Sequence, residues 1–117
     1  MHSQNASDMQ ITVSDQNIIG KWEFADLINP DLTKEEYKEN KSLMKGAFGL
    51  TFKSDKTCTI MMIFDISGKW SLDQKTNIIT TLDQRGTKIW TIHSLSEKEI
   101  TVSLNNAKQK LIFKRSL

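Results

Sequence analysis

Residues 47–72 read AFGLTFKSDKTCTIMMIFDISGKWSL, and the alternation in this stretch decides the fold class. Phe48, Leu50 and Phe52 fall on one side of an extended chain. After Ser54-Asp55-Lys56 the pattern resumes, with Cys58, Ile60, Met62 and Phe64 on one side and Thr59, Met61 and Ile63 on the other. Residues two apart share a face of a strand, so each segment has one side to set against a core. The abundance of Ile, Thr, Phe and Trp agrees with strands.

The same alternation runs outward in both directions. Strands are predicted at Lys21–Leu27, Ala47–Lys53, Thr57–Phe64, Lys69–Leu72, Asn77–Leu82, Lys88–Leu95, Glu99–Leu104 and Gln109–Arg115, eight in all. Ser54–Lys56, Asp65–Gly68, Asp73–Thr76, Asp83–Gly86, Ser96–Lys98 and Asn105–Lys108 separate them. Asp, Asn, Ser and Gly suit such turns because they tolerate left-handed backbone or bond their own main chain. Turn signals roughly 8–12 residues apart mark an all-β sandwich or barrel, here with a meander of strands two to eight.

One connection differs. Between the first two strands, TKEEYKENKSLMKG follows Pro30. Thr33 and Glu36 have capping-box spacing, acids lie in the first turn, lysines in the last, and Gly46 is a stop. A helix is predicted over residues 34–45, lying on the barrel with a thin apolar stripe of Tyr37, Leu43 and Met44. Residues 1–17 are polar and read as a flexible lead-in, so the domain is drawn over 18–117.

Composition narrows the function. The chain has 117 residues, enough for one domain, with 38% hydrophobic and 26% charged residues. Sixteen basic and fourteen acidic residues leave a scattered charge of +2, which makes no phosphate-binding stripe and argues against nucleic acid. No apolar run reaches the roughly 18 residues of a membrane span. A single cysteine, Cys58, rules out an internal disulfide.

Two packed sheets would hold the inward aromatics as well as a barrel would, and the chain ends break the tie. A closed meander pairs its first strand with its last, bringing Trp22 near Arg115. A guanidinium over an indole contributes roughly 0.5–2 kcal/mol, and closure removes the sheet edges. Gly20-Lys21-Trp22 resembles the Gly-x-Trp signature opening the first strand of lipocalins, and Arg115 resembles the late arginine packed across that tryptophan. Residues 50–57 (LTFKSDKT) and 68–72 (GKWSL) are similar to segments of small bacterial, Bacteroidetes-type lipocalin-like domains with a calycin-like barrel. The resemblance spans residues 18–116. It implies an eight-stranded antiparallel up-and-down β-barrel that binds a small hydrophobic ligand, an apolar or amphipathic molecule, at the barrel mouth without catalysis. It also favours an extracytoplasmic home (periplasmic, lipoprotein or secreted) if a leader has been trimmed, and a cytoplasmic one otherwise. The chain departs from typical lipocalins in ending after the last strand and in lacking their disulfide. Its helix follows strand one, where fatty-acid-binding proteins carry a helical lid.

A catalytic site is not expected. Cys58 lies in an apolar strand, and the two histidines are His2 in the lead-in and His93, out of phase with Trp90 and Ile92. These residues make neither an activated thiolate nor a metal site, and no glycine-rich loop implies a cofactor. A ligand inside the barrel would meet Phe24, Phe52, Met62, Trp70 and Trp90. Asp26, Thr80, Ser94 and Gln109 are polar residues in phase with the inward faces. Antiparallel pairing would bring Asp26 and Gln109 to one end, the expected mouth. The alternative for Asp26 is a solvated strand end or a bulge that turns it out. A filled barrel would instead favour a protein partner, an inhibitor or envelope-assembly role, through an outward patch of Met61, Ile63 and Ile79. The expected state is a monomer or weak dimer.

Overall fold

A computed structural model describes residues 9–116. The strands are β1 (Gly20–Ile28), β2 (Phe48–Phe52), β3 (Thr57–Met62), β4 (Phe64–Asp73), β5 (Ile78–Asp83), β6 (Gly86–Leu95), β7 (Glu99–Leu104) and β8 (Lys110–Arg115). They form one closed antiparallel barrel in sequence order, β8 pairing back onto β1. Two helices accompany them, α1 (Asp15–Ile18) and α2 (Lys34–Met44).

Closure is built on the predicted pair. Trp22 lies opposite Arg115 in the ladder, and the guanidinium sits 4.1 Å from the indole centroid. The indole is wholly buried and donates its N–H to the Ile18 carbonyl at 2.9 Å. Arg115 donates to the carbonyls of Ile19 (2.9 Å), Asn17 (2.6 Å) and Glu97 (2.7 Å). One side chain therefore ties together the chain entering the barrel, the β6–β7 turn and the last strand. Gly20 fits here for two reasons: its φ is +140°, and a Cβ would lie 2.7 Å from Arg115 Nη1.

Aromatic rings fill the interior. Phe113 meets Phe48 edge-on at 5.2 Å and Phe24 at 6.1 Å, while Phe48 lies 6.2 Å from Trp90. Toward the end where β1 begins (the closed end, beside α1), Phe52 packs on Trp70 at 5.4 Å. Their polar edges are satisfied: Trp90 donates to Thr81 Oγ1 and Trp70 to the Lys53 carbonyl, each at 2.9 Å.

Four details of the strand reading are corrected. Asp65–Gly68 is not a turn, because β4 runs through it and the chain reverses at Ile63, whose φ is +75°. Ile66 is consequently buried and Phe64, expected inside, is 68% exposed. Gly68 belongs in the strand because a Cβ there would be driven into the Leu82 carbonyl oxygen. The phase of β5 is reversed: Ile79 and Thr81 point inward and Leu82 outward. ITTL offers an apolar–hydroxyl mixture in either phase, and pairing with Leu72 and Trp90 selects Ile79. The predicted patch thus loses Ile79. Finally, irregularities between Phe24 and Asp26 and between Ile92 and Ser94 switch the inward positions to Leu27 and Leu95.

The segment before the barrel includes α1 and a bridge between Gln10 and Ser96. The Ile11 amide donates to the Leu95 carbonyl, and Gln10 Oε1 accepts from the Leu95 amide, both at 2.9 Å. Ile11 and Val13 are partly buried against the core and Ile18 wholly. His2 and the first eight residues of the predicted lead-in lie outside the described residues. Helix α2 carries the predicted capping box, with Thr33 Oγ1 accepting from the Glu36 amide (3.1 Å) and Glu36 from the Thr33 amide (2.9 Å). It buries no residue fully and rests on the barrel through the partly buried Tyr37 and Met44. Among the described residues no helix is long and apolar enough to cross a membrane.

Candidate functional site

The predicted mouth residues do not converge. The irregularity in β1 turns Asp26 to the outer surface, opposite Ile112, where α2 covers it. Tyr37 Oη donates to Asp26 Oδ1 at 2.6 Å, the Leu27 amide donates at 2.8 Å, and Lys41 Nζ lies 3.6 Å away. Desolvation works to raise the Asp26 pKa, but Tyr37, the Leu27 amide and Lys41 together hold it below the ordinary carboxylate value. The Lys41 ammonium is pushed up, chiefly by its hydrogen bond with the Tyr37 hydroxyl. Gln109 is engaged elsewhere, accepting from Asn29 Nδ2 at 3.2 Å. Asp26 is a fastening point for α2.

Of the other predicted ligand residues, Phe24, Phe52, Trp70 and Trp90 are buried packing partners of one another or of Phe48 and Phe113. Met62 packs partly buried against the same core. Thr80 and Ser94 are half-buried, out of phase with the inward residues of their strands. At the end where β5 turns into β6, Asp83 and Lys88 form a 3.1 Å ion pair that sequence reasoning missed. The Asp83 side chain is only 1% exposed. Burial raises its pKa, yet the Arg85 amide and Lys88 outweigh that and leave it lowered. Cys58 is buried, and desolvation, aided by the Asp83 charge, pushes its thiol up, away from the thiolate a nucleophile needs.

A sizeable concavity lies on the outside of the barrel. β1 and β2 pair only from Gly20–Phe52 to Glu23–Gly49, after which β1 continues to Ile28 without a β2 partner and α2 packs beside it. A groove of about 660 Å³ opens at this seam. Phe24 and Phe48, stacked at 6.4 Å, show at its inner wall, and Gly49 and Met61 contribute to its floor. Lys21, Thr51, Lys53 and Thr59 line it toward the closed end, and Lys45 and Gly46 approach from the end of α2. Gly49 leaves little space to spare, since a Cβ would lie 3.2 Å from the Trp22 carbonyl oxygen and 3.5 Å from Met61 Cε. A glycine between Phe48 and Leu50 was the one sequence signal for this site, because glycine inside a strand often marks close approach of another group.

No family model matches the chain, and no curated protein matches it. Solved structures do. A DUF4847 family protein from Bacteroides vulgatus superposes with a TM-score of 0.60 at 17% identity, covering 86% of this chain and 94% of that one. A protein from Bacteroides uniformis gives 0.55 at 16% identity, covering 95% and 97%. At these identities the likeness is one of fold.

Proposed function

We propose that this barrel is a non-catalytic binding protein that holds a small amphipathic molecule in the outer groove over β1, β2 and β3. The observation that carries the reading is the exchange of inside for outside. Aromatic side chains occupy the barrel axis, whereas the groove has the volume, the apolar floor and the few placed polar groups of a ligand site. The inert position of Cys58 supports a role without covalent chemistry.

The test is native mass spectrometry of the protein purified from its own cells, followed by denaturation and extraction. A stoichiometric small molecule is expected on the wild type and not on Thr51→Trp, whose indole would fill the groove from its wall. A molecule retained by Thr51→Trp would overturn the groove assignment. A second reading, a protein-interaction module, draws on one observation: Ile63 and Phe64 are 77% and 68% exposed at adjoining positions. It predicts a stoichiometric protein partner that is lost with Phe64→Ser and kept with Thr51→Trp.

A further inference from the structure

The register sorts the groove's side chains into rows. Glu23 pairs with Gly49, Gly49 with Met61 and Met61 with Asp65, so one row has an apolar centre and an acid at each end. Two residues further toward the closed end, Lys21 pairs with Thr51, Thr51 with Thr59 and Thr59 with Ser67. This second row is one ammonium followed by three hydroxyls. Beyond it Lys53, whose amide donates to the Thr57 carbonyl, begins a third row that continues from Thr57 to Lys69.

Strand spacing of about 4.8 Å and a two-residue rise of about 6.8 Å put the Lys21 and Lys53 backbones on the order of 8 Å apart. Their long side chains can converge on one group placed over Thr51 and Thr59. None of Lys21, Lys53, Lys45, Glu23 or Asp65 joins an ion pair among the described residues, although four other pairs form there. The groove's lysines thus stand outside these ion pairs, while Glu23 accepts from Ser116 Oγ at 3.4 Å. The arrangement is polar along the strands: acids flank the apolar row, and Lys21 and Lys53 begin the hydroxyl rows.

We propose that the groove selects an anionic amphipath, with a carboxylate, sulfate or phosphate head between Lys21 and Lys53 and an apolar body over Gly49 and Met61. This inference rests on the groove reading and adds the ligand's charge and direction. Glu23 and Asp65 outnumber the single Lys45 at the seam, so the head is favoured at the Lys21–Lys53 end and the molecule is oriented. The Thr51 and Thr59 hydroxyls donate to the head, and Phe24 and Phe48 receive the far end of the body.

The test uses octanoate and 1-octanol, which share a chain and differ in charge, in amide NMR titrations of the full chain. Octanoate is expected to shift the Gly49, Thr51, Thr59 and Met61 amides and to bind about tenfold more tightly than octanol at low salt, an advantage that salt screens. The Lys21→Gln/Lys53→Gln variant should lose about fivefold or more of octanoate affinity and leave octanol unchanged. Equal binding of both probes at the groove, or an unaltered octanoate affinity in the variant, would overturn the anion proposal while leaving the groove reading intact. Absence of shifts at those amides with either probe would remove both.

Discussion

Trp22 sits at the closure of the barrel, opposite Arg115. It is wholly buried, hydrogen-bonded and covered by a cation, so Trp22→Ala should cost roughly 3–5 kcal/mol in urea unfolding through the cavity it leaves. Arg115→Ala should lose the packing and three carbonyl contacts together, and a double-mutant cycle with Trp22→Ala should show coupling of about 1 kcal/mol. Gly20→Ala should destabilise by more than about 1 kcal/mol, because it meets both the left-hand φ and the guanidinium. The Trp22–Arg115 pair was legible in the sequence, since closing a meander forces its first and last strands together. The ties to Asn17, Ile19 and Glu97 were not. They depend on where the chain turns before β1, which alternation does not encode.

The strands were legible because each buries an alternating set, and the α2 boundary because its cap is written in Thr33 and Glu36. Phase was the weak point. A single extra residue at Ala25 or His93 reverses every position after it, and no residue type marks such an irregularity. The sequence left Asp26 either in a mouth or turned out by a bulge, and the structure shows the second, with Tyr37 of α2 bonded to it. Its depressed pKa gives a signed expectation: the Asp26 contribution is in place above its unfolded value of about 3.9 and is lost as pH falls through the lower folded value. Hydrogen exchange in α2 should therefore quicken at acid pH relative to the strands, and Asp26→Asn should quicken it at neutral pH. At the β3–β4 reversal, Ile63 holds a β-branched side chain at φ +75° in solvent. Ile63→Gly should raise stability by up to about 1 kcal/mol in urea melts, the left-handed strain being relieved.

At the level of the whole molecule, a filled interior and an external groove set this barrel apart from one with an open central cavity. Trp22, Phe24, Phe48, Phe52, Trp70, Trp90 and Phe113 are all buried, and the inward phase of these seven was visible in the sequence. The groove was not, because it arises where two strands part, and parting is a property of a pair. The segment before β1 also belongs to the global balance: Ile11 and Val13 pack on the core, and Gln10 bonds β6. Removing residues 1–13 should lower unfolding stability by about 2 kcal/mol, the scale of two partly buried aliphatic side chains. The closing seam has a mechanical meaning as well. Ser116 donates to the Lys21 carbonyl at 2.8 Å, so the barrel's first and last residues sit side by side on antiparallel neighbours. Tension applied through the two ends loads the β1–β8 bonds one after another, as in a zipper, and never all at once in shear. Once the Gln10–Ser96 bridge before β1 has given way, a barrel stable to denaturant would then open at low force, and a translocase or protease pulling on one end while the other is held would next part the Trp22–Arg115 closure.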